Sequence, residues 1–161
     1  MTEQVYLKKQ LVSTGHRFSS ESWANDNLTV DIHAEVKDLK QKSTNTPIEI
    51  PVSVSKSKAS TKKPEVRILD LKKIKETITI TGSLTGTAAL ATKNKILAMQ
   101  QMGGMLDEFK WREEIFNATN GNAVHLNEAN FTDALAEGQS SLLDQEIAYD
   151  FTIVLSVGKA R

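Results

Sequence analysis

The end of this chain constrains its fold more than any other stretch. Ile147, Tyr149, Phe151, Ile153, Leu155 and Val157 occupy every second position over eleven residues, with Ala148, Asp150, Thr152 and Ser156 among the residues between them. Successive strand side chains point to opposite faces, so this spacing predicts a β-strand with six apolar groups on one side and a mostly polar other side. At about 3.3 Å per residue the strand is about 36 Å long, roughly twice the usual globular length. A strand that long, apolar on one side only, calls for a broad sheet packed on a core. Val154 interrupts its polar side.

The same alternation recurs upstream. Leu28, Val30, Ile32, Ala34 and Val36 alternate with Thr29, Asp31, His33 and Glu35, and Ile48, Ile50, Val52 and Val54 alternate with Glu49, Pro51, Ser53 and Ser55. Pro51 has no N–H to give to a ladder, which predicts an edge strand or an extended arm. Val66 and Ile68 predict a short strand, and Ile78, Ile80 and Leu84 a longer one whose other side carries Thr77, Thr79, Thr81 and Ser83. Thr87 is a candidate cap for a helix reaching Met102, where Gly103-Gly104 supplies the turn that helix ends favour. Ala89, Leu90, Ile96, Leu97, Ala98 and Met99 give that helix an apolar stripe suited to lying on a sheet. Met105–Ile115, with Phe109 and Trp111, reads as a further strand. Asn120-Gly121 is a hairpin-type turn signal, Ala123–Ala129 a short strand, and Phe131–Asp144 a loop with a helical turn.

Strands, one helix and more strands predict an α+β fold, mainly β, with a mainly antiparallel sheet. The expected organisation is an N-terminal arm over residues 1–27 and a single β-rich domain over 28–161, with an extended loop around 37–65. The length of 161 residues suits one hydrophobic core. Cysteine is absent, which removes disulfides and thiolate chemistry. No apolar run approaches the roughly 18 residues that span a bilayer, and residues 1–9 lack the apolar stretch of a signal peptide. The expectation is a soluble, unexported chain that makes no membrane contact.

Net charge is zero, but the charges are segregated. Lys56 to Lys75 holds eight basic residues against Glu65 and Asp70, and Met105 to Phe151 holds ten acidic residues against Lys110 and Arg112. Opposite patches on one chain suit head-to-tail pairing of copies. The lysines also raise a nucleic-acid-binding alternative, a β domain contacting phosphates through a basic loop. No aromatic residue lies in that stretch to stack on bases.

No catalytic pattern emerges. His16, His33 and His125 have no metal-binding spacing, and no GxSxG, phosphate-loop or dinucleotide motif occurs. Asp107-Glu108 and Glu113-Glu114 are sequence neighbours, which on a strand face opposite ways and cannot act as one acid/base pair. The expectation is a protein that is not an enzyme and carries no cofactor and no metal.

The run Lys63-Pro64-Glu65-Val66-Arg67-Ile68-Leu69-Asp70-Leu71-Lys72-Lys73-Ile74-Lys75-Glu76-Thr77-Ile78-Thr79-Ile80-Thr81-Gly82 precedes a helix, a double glycine, a Phe-x-Trp strand and the long last strand. This order, over residues 63–161, resembles the tail tube proteins and the related baseplate hub or distal tail ring proteins of long-tailed bacteriophages and archaeal viruses. The resemblance implies an antiparallel β-sandwich or split barrel with one flanking helix. It also implies assembly into rings, usually hexameric, whose joined sheets line a channel for viral DNA, with other tail or baseplate proteins as partners and the virion tail as location after synthesis in the host cytoplasm. Channels of this kind are polar or acidic, which here makes Thr77, Thr79, Thr81, Glu146, Asp150, Thr152 and Ser156 candidates for the lining. Lys56, Lys58, Lys62, Lys63 and Asp144 are candidates for inter-subunit contacts.

Overall fold

A computed structural model of the chain describes residues 5–32, 35–52, 65–70, 74–133 and 148–158. The fold is α+β and mainly β, with eleven strands and one helix among the described residues. Two compact units can be separated, Met1–Lys42 with Glu76–Arg161, and Ser43–Lys75.

The larger unit contains two sheets. One has the order β2-β1-β8-β9, formed by β1 (Val5–Gln10), β2 (Asn27–Asp31), β8 (Glu108–Trp111) and β9 (Glu114–Phe116). The other has the order β3-β6-β11-β10-β7, formed by β3 (Val36–Asn45), β6 (Ile74–Thr85), β7 (Met105–Leu106), β10 (Ala123–Asp133) and β11 (Ala148–Gly158). Val5, Leu7, Val30 and Phe109 from the first sheet join Ile78, Ile80, Leu126, Phe151, Ile153 and Leu155 from the second in one buried cluster. That shared core makes the arrangement a sandwich. Helix α1 (Ala89–Met102) buries Ala89, Ile96, Ala98 and Met99 and lies against β10 and β2.

The long strands follow from their periodicity. In β11, Phe151, Ile153 and Leu155 are buried while Asp150 is exposed; in β6, Ile78, Ile80 and Leu84 are buried and the intervening threonines are half-buried. Gly82 faces Phe151 across the ladder, and a Cβ on it would stand 2.0 Å from the Glu35 carbonyl oxygen and 2.7 Å from the Phe151 ring. Only glycine fits there. The smaller unit carries an antiparallel ribbon of β4 (Ile48–Val52) and β5 (Glu65–Leu69), with Pro51 opposite Val66.

Several expectations are corrected. Residues 5–10, assigned to an N-terminal arm, are a strand held between β2 and β8. The polar stretch after Val36, expected to be loop, is β3, whereas the proline-containing run is an edge strand of a ribbon, one of the two forms that Pro51 predicts. Met105–Ile115 is three strands, because Asp107 interrupts it and Arg112 adopts a left-handed φ of 56° at the turn from β8 to β9. Thr87 does not cap α1; the N-cap is Ala88 and makes no side-chain cap bond. Leu90 is exposed, outside the buried stripe. Asn120-Gly121 turns the chain from one sheet to the other, since β9 and β10 are not paired. The strand expected over Ala123–Ala129 continues to Asp133.

Candidate functional site

The polar side of the β6–β11–β10 wall runs across three paired strands. It is set by register. Across β6 and β11, Thr77 stands opposite Ser156, Thr79 opposite Val154, Thr81 opposite Thr152 and Ser83 opposite Asp150. Six of the seven residues expected to share a polar surface, Thr77, Thr79, Thr81, Asp150, Thr152 and Ser156, are thereby brought onto one face of two paired strands. The seventh, Glu146, lies outside the described residues, as do Asp144, Lys56, Lys58, Lys62 and Lys63.

Strand β10 widens this face by residues that sequence reasoning did not find. His125 pairs with Ser156, Glu128 with Val154, Asn130 with Thr152 and Thr132 with Asp150. Between Leu126 and Glu128 the register shifts, so Asn127 is an extra residue on β10. The shift changes which parity faces the core: Leu126 is opposite Leu155 before it, and Ala129 opposite Ile153 and Phe131 opposite Phe151 after it. An alternation that changes phase midway does not read as one strand. The available signal was the pair of short in-step runs, Val124/Leu126 and Ala129/Phe131, offset by one.

Some of the polar groups bond one another. The Ser83 hydroxyl donates to Asp150 Oδ1 at 2.6 Å. His125 Nδ1 donates to Asn127 Oδ1 at 2.6 Å, and Asn127 Nδ2 donates to Ser156 Oγ. Asn130 Nδ2 reaches Glu128 Oε2 at 3.5 Å. Asn127 therefore stands between the imidazole and the serine, so His125 is not hydrogen-bonded to Ser156 as a general base must be. Among the described residues no three His, Cys, Asp or Glu side chains are grouped to hold a metal ion. Residues 77–83, 123–133 and 148–158 contain no lysine or arginine. Within these segments Glu128 and Asp150 are the acidic groups on the face, and Lys75, at the start of β6, stands in step with Thr77.

The edges of the two sheets meet at a second feature. Asp107 lies between β7 of one sheet and β8 of the other; its N–H donates to the Lys8 carbonyl at 2.9 Å, and its Oδ2 accepts the Gln10 N–H at 2.8 Å. Lys9 points to the core side of β1, only 7% exposed, and its ammonium donates to the Met105 carbonyl at 2.8 Å. Burial lowers its pKa from the ordinary lysine value, and Asp107 partly opposes the shift. Tyr6, on the other side of β1, donates to Glu108 Oε2 at 2.7 Å; that bond, followed by burial and the Glu108 charge, raises the phenol's pKa.

No protein-family model matches this chain, and no curated protein matches it. Among solved structures it is similar to a chain in the tail of an empty gene transfer agent particle with C6 symmetry, at 9% identity and a TM-score of 0.46, over 98% of this chain and 96% of that one. It is also similar to a chain in the virion of a native gene transfer agent particle, at 8% identity and a TM-score of 0.43, over 84% of this chain and 85% of that one. Likenesses this distant carry no inference about function.

Proposed function

We propose that this chain is a structural subunit of a viral tail, assembling with copies of itself into a ring or tube around a passage for DNA, and that it performs no catalysis. The observation that carries the reading is the polar face built in register by β6, β11 and β10 on a packed core, which over residues 77–83, 123–133 and 148–158 holds no lysine or arginine. A duplex crossing a channel meets phosphates against the wall at every turn. Fixed cations there would exchange with its counterions and hold it. Threonine hydroxyls and the Asn127 and Asn130 amides, together with the Glu128 and Asp150 carboxylates, hydrate the wall without gripping the duplex. The resemblance of residues 63–161 to tail tube and tail-tip ring proteins supports the same reading, and with it six-fold rings, tail or baseplate partners and a place in the virion. Within it, Thr77, Thr79, Thr81, Glu146, Asp150, Thr152 and Ser156 line the passage, and Lys56, Lys58, Lys62, Lys63 and Asp144 contact neighbouring subunits.

Introducing the missing cations tests the role of the face. The doubly substituted Thr79→Lys/Thr152→Lys protein is expected to bind DNA with an affinity that falls as salt rises, while the unsubstituted face does not contribute such binding. If the two proteins bind DNA alike at low salt, the face is not what keeps the duplex from sticking, and the reading loses its carrying observation.

A further inference from the structure

A cleft lies between β3 of the five-stranded sheet and the Val5–Trp111 pair that joins β1 to β8 in the other sheet, with a volume of about 430 Å³. Small-molecule sites span about 300–1,000 Å³. Its walls are apolar: Val5 is buried, and Val36, Leu39 and Trp111 are partly buried at the margin of the core. Its polar groups are Lys37, Asp38 and Arg112. Two cations therefore stand against one carboxylate, and that carboxylate has Lys40, outside the lining, 3.9 Å away.

The backbone beside the cleft supplies an independent observation. Trp111 pairs with Glu114, so Arg112 and Glu113 are the whole turn from β8 to β9. Arg112 takes the first turn position with a φ of 56°, while Glu113 is not left-handed. Two-residue turns place Gly, Asn or Asp at a left-handed first position, because a longer side chain is strained there. An arginine in that place costs turn stability, and such strain is kept where the side chain is needed in position. Here it sets the guanidinium 5.6 Å from the centre of the Trp111 ring, at the rim of the cleft. A guanidinium is a flat fork of N–H donors that matches a carboxylate with two bonds.

We propose that this cleft binds an apolar organic carboxylate, with the carboxylate on Arg112 and Lys37 and the hydrocarbon body against Trp111, Leu39 and the Val5–Val36 wall. The two halves of the lining require the two halves of the ligand. An apolar molecule alone would take water from the cations and return no hydrogen bond. A small inorganic anion would leave the apolar walls wet. A carboxylate carried on a ring or an aliphatic chain satisfies both. The site is complete within one copy of the chain and stands apart from the ring reading, since none of its residues belongs to the β6–β11–β10 face.

The chain has two tryptophans, Trp111 in the cleft and Trp23 outside it, so their indole N–H signals in NMR spectra report binding locally once assigned with Trp111→Phe. The full chain is titrated with 2-naphthoate and octanoate, one flat and one flexible, and with 2-naphthamide and acetate, which lack the charge and the body respectively. A saturable shift of the Trp111 signal alone is expected from at least one of the two carboxylates, the tighter of them identifying the body. Naphthamide and acetate are expected to bind about tenfold more weakly or worse. Arg112→Gly relieves the turn and removes the fork, so it is expected to hold or raise the melting temperature while weakening the carboxylate about tenfold. Lys37→Gln is expected to weaken it about threefold, and Lys40→Gln not at all. No saturable shift from either carboxylate, naphthamide binding as tightly as naphthoate, or unchanged binding in both Arg112→Gly and Lys37→Gln would overturn the site.

Discussion

Ile48 and Ile50 on β4 alternate as regularly as Ile153 and Leu155 on β11, yet the former are 45% and 46% exposed and the latter fully buried. The difference lies in what surrounds each strand. β11 is paired on both sides, by β6 and β10, and shares a core with a second sheet. Among the described residues β4 pairs with β5 alone, where Ile68 is 68% exposed. Alternation makes a strand; a second layer makes a core, and a two-stranded ribbon is marginal without one. The apolar groups on the ribbon are the kind of surface that a partner covers.

The comparison breaks most visibly by truncation. Ile153→Ala is expected to cost about 2–5 kcal/mol of unfolding free energy, through lost transfer energy and a cavity, and Ile68→Ala in dilute protein to stay within about 0.5 kcal/mol. Denaturant titrations of both variants decide it, and equal losses would show that the ribbon has a core after all. Next in size is Gly82→Ala. The added methyl meets the Glu35 carbonyl and the Phe151 ring, so a loss of about 1–3 kcal/mol from forced displacement is expected. A neutral result would mean that the backbone at Glu35 yields freely.

The same comparison explains what was legible. β11, β6 and the body of α1 followed from apolar spacing because each is backed by the core. β1 was hidden since Lys9 occupies an inward position in the series Val5, Leu7, Lys9, Leu11, where a cation reads as surface although its stem is buried and its ammonium bonds Met105. β3 was hidden because an edge strand is made by backbone pairing, and Lys37, Asp38, Lys40 and Lys42 give it no alternation. β10 was cut short by the phase change at Asn127. The polar face was half legible: β6 and β11 supplied their residues by period, but only the register brought His125, Asn127, Glu128, Asn130 and Thr132 beside them.

Smaller effects come from pH. Lys9 has a lowered pKa in the folded chain, so between that value and the ordinary lysine value the unfolded chain holds more protons, and stability should rise with pH across that window. Tyr6, with a raised pKa, acts in the opposite sense: the folded chain keeps its proton above the ordinary phenol value, and stability falls there. Alkaline denaturation curves should therefore lose their upward component in Lys9→Met and their downward component in Tyr6→Phe; unchanged curves would contradict the buried setting of Lys9 and the Tyr6–Glu108 bond respectively. The smallest expected effect is that of Thr152→Val on the polar face, within about 0.5 kcal/mol by the same titration. A larger loss would mean that the face is part of the folding core.

The central claim is that copies of this chain surround a passage with the β6–β11–β10 face turned inward. The most direct measurement is electron microscopy of the purified, assembled protein carrying a heavy-atom cluster on Thr152→Cys. The account predicts rings or tubes with the label inside the lumen. Labels on the outer surface, or unassembled monomers at high concentration, would contradict it.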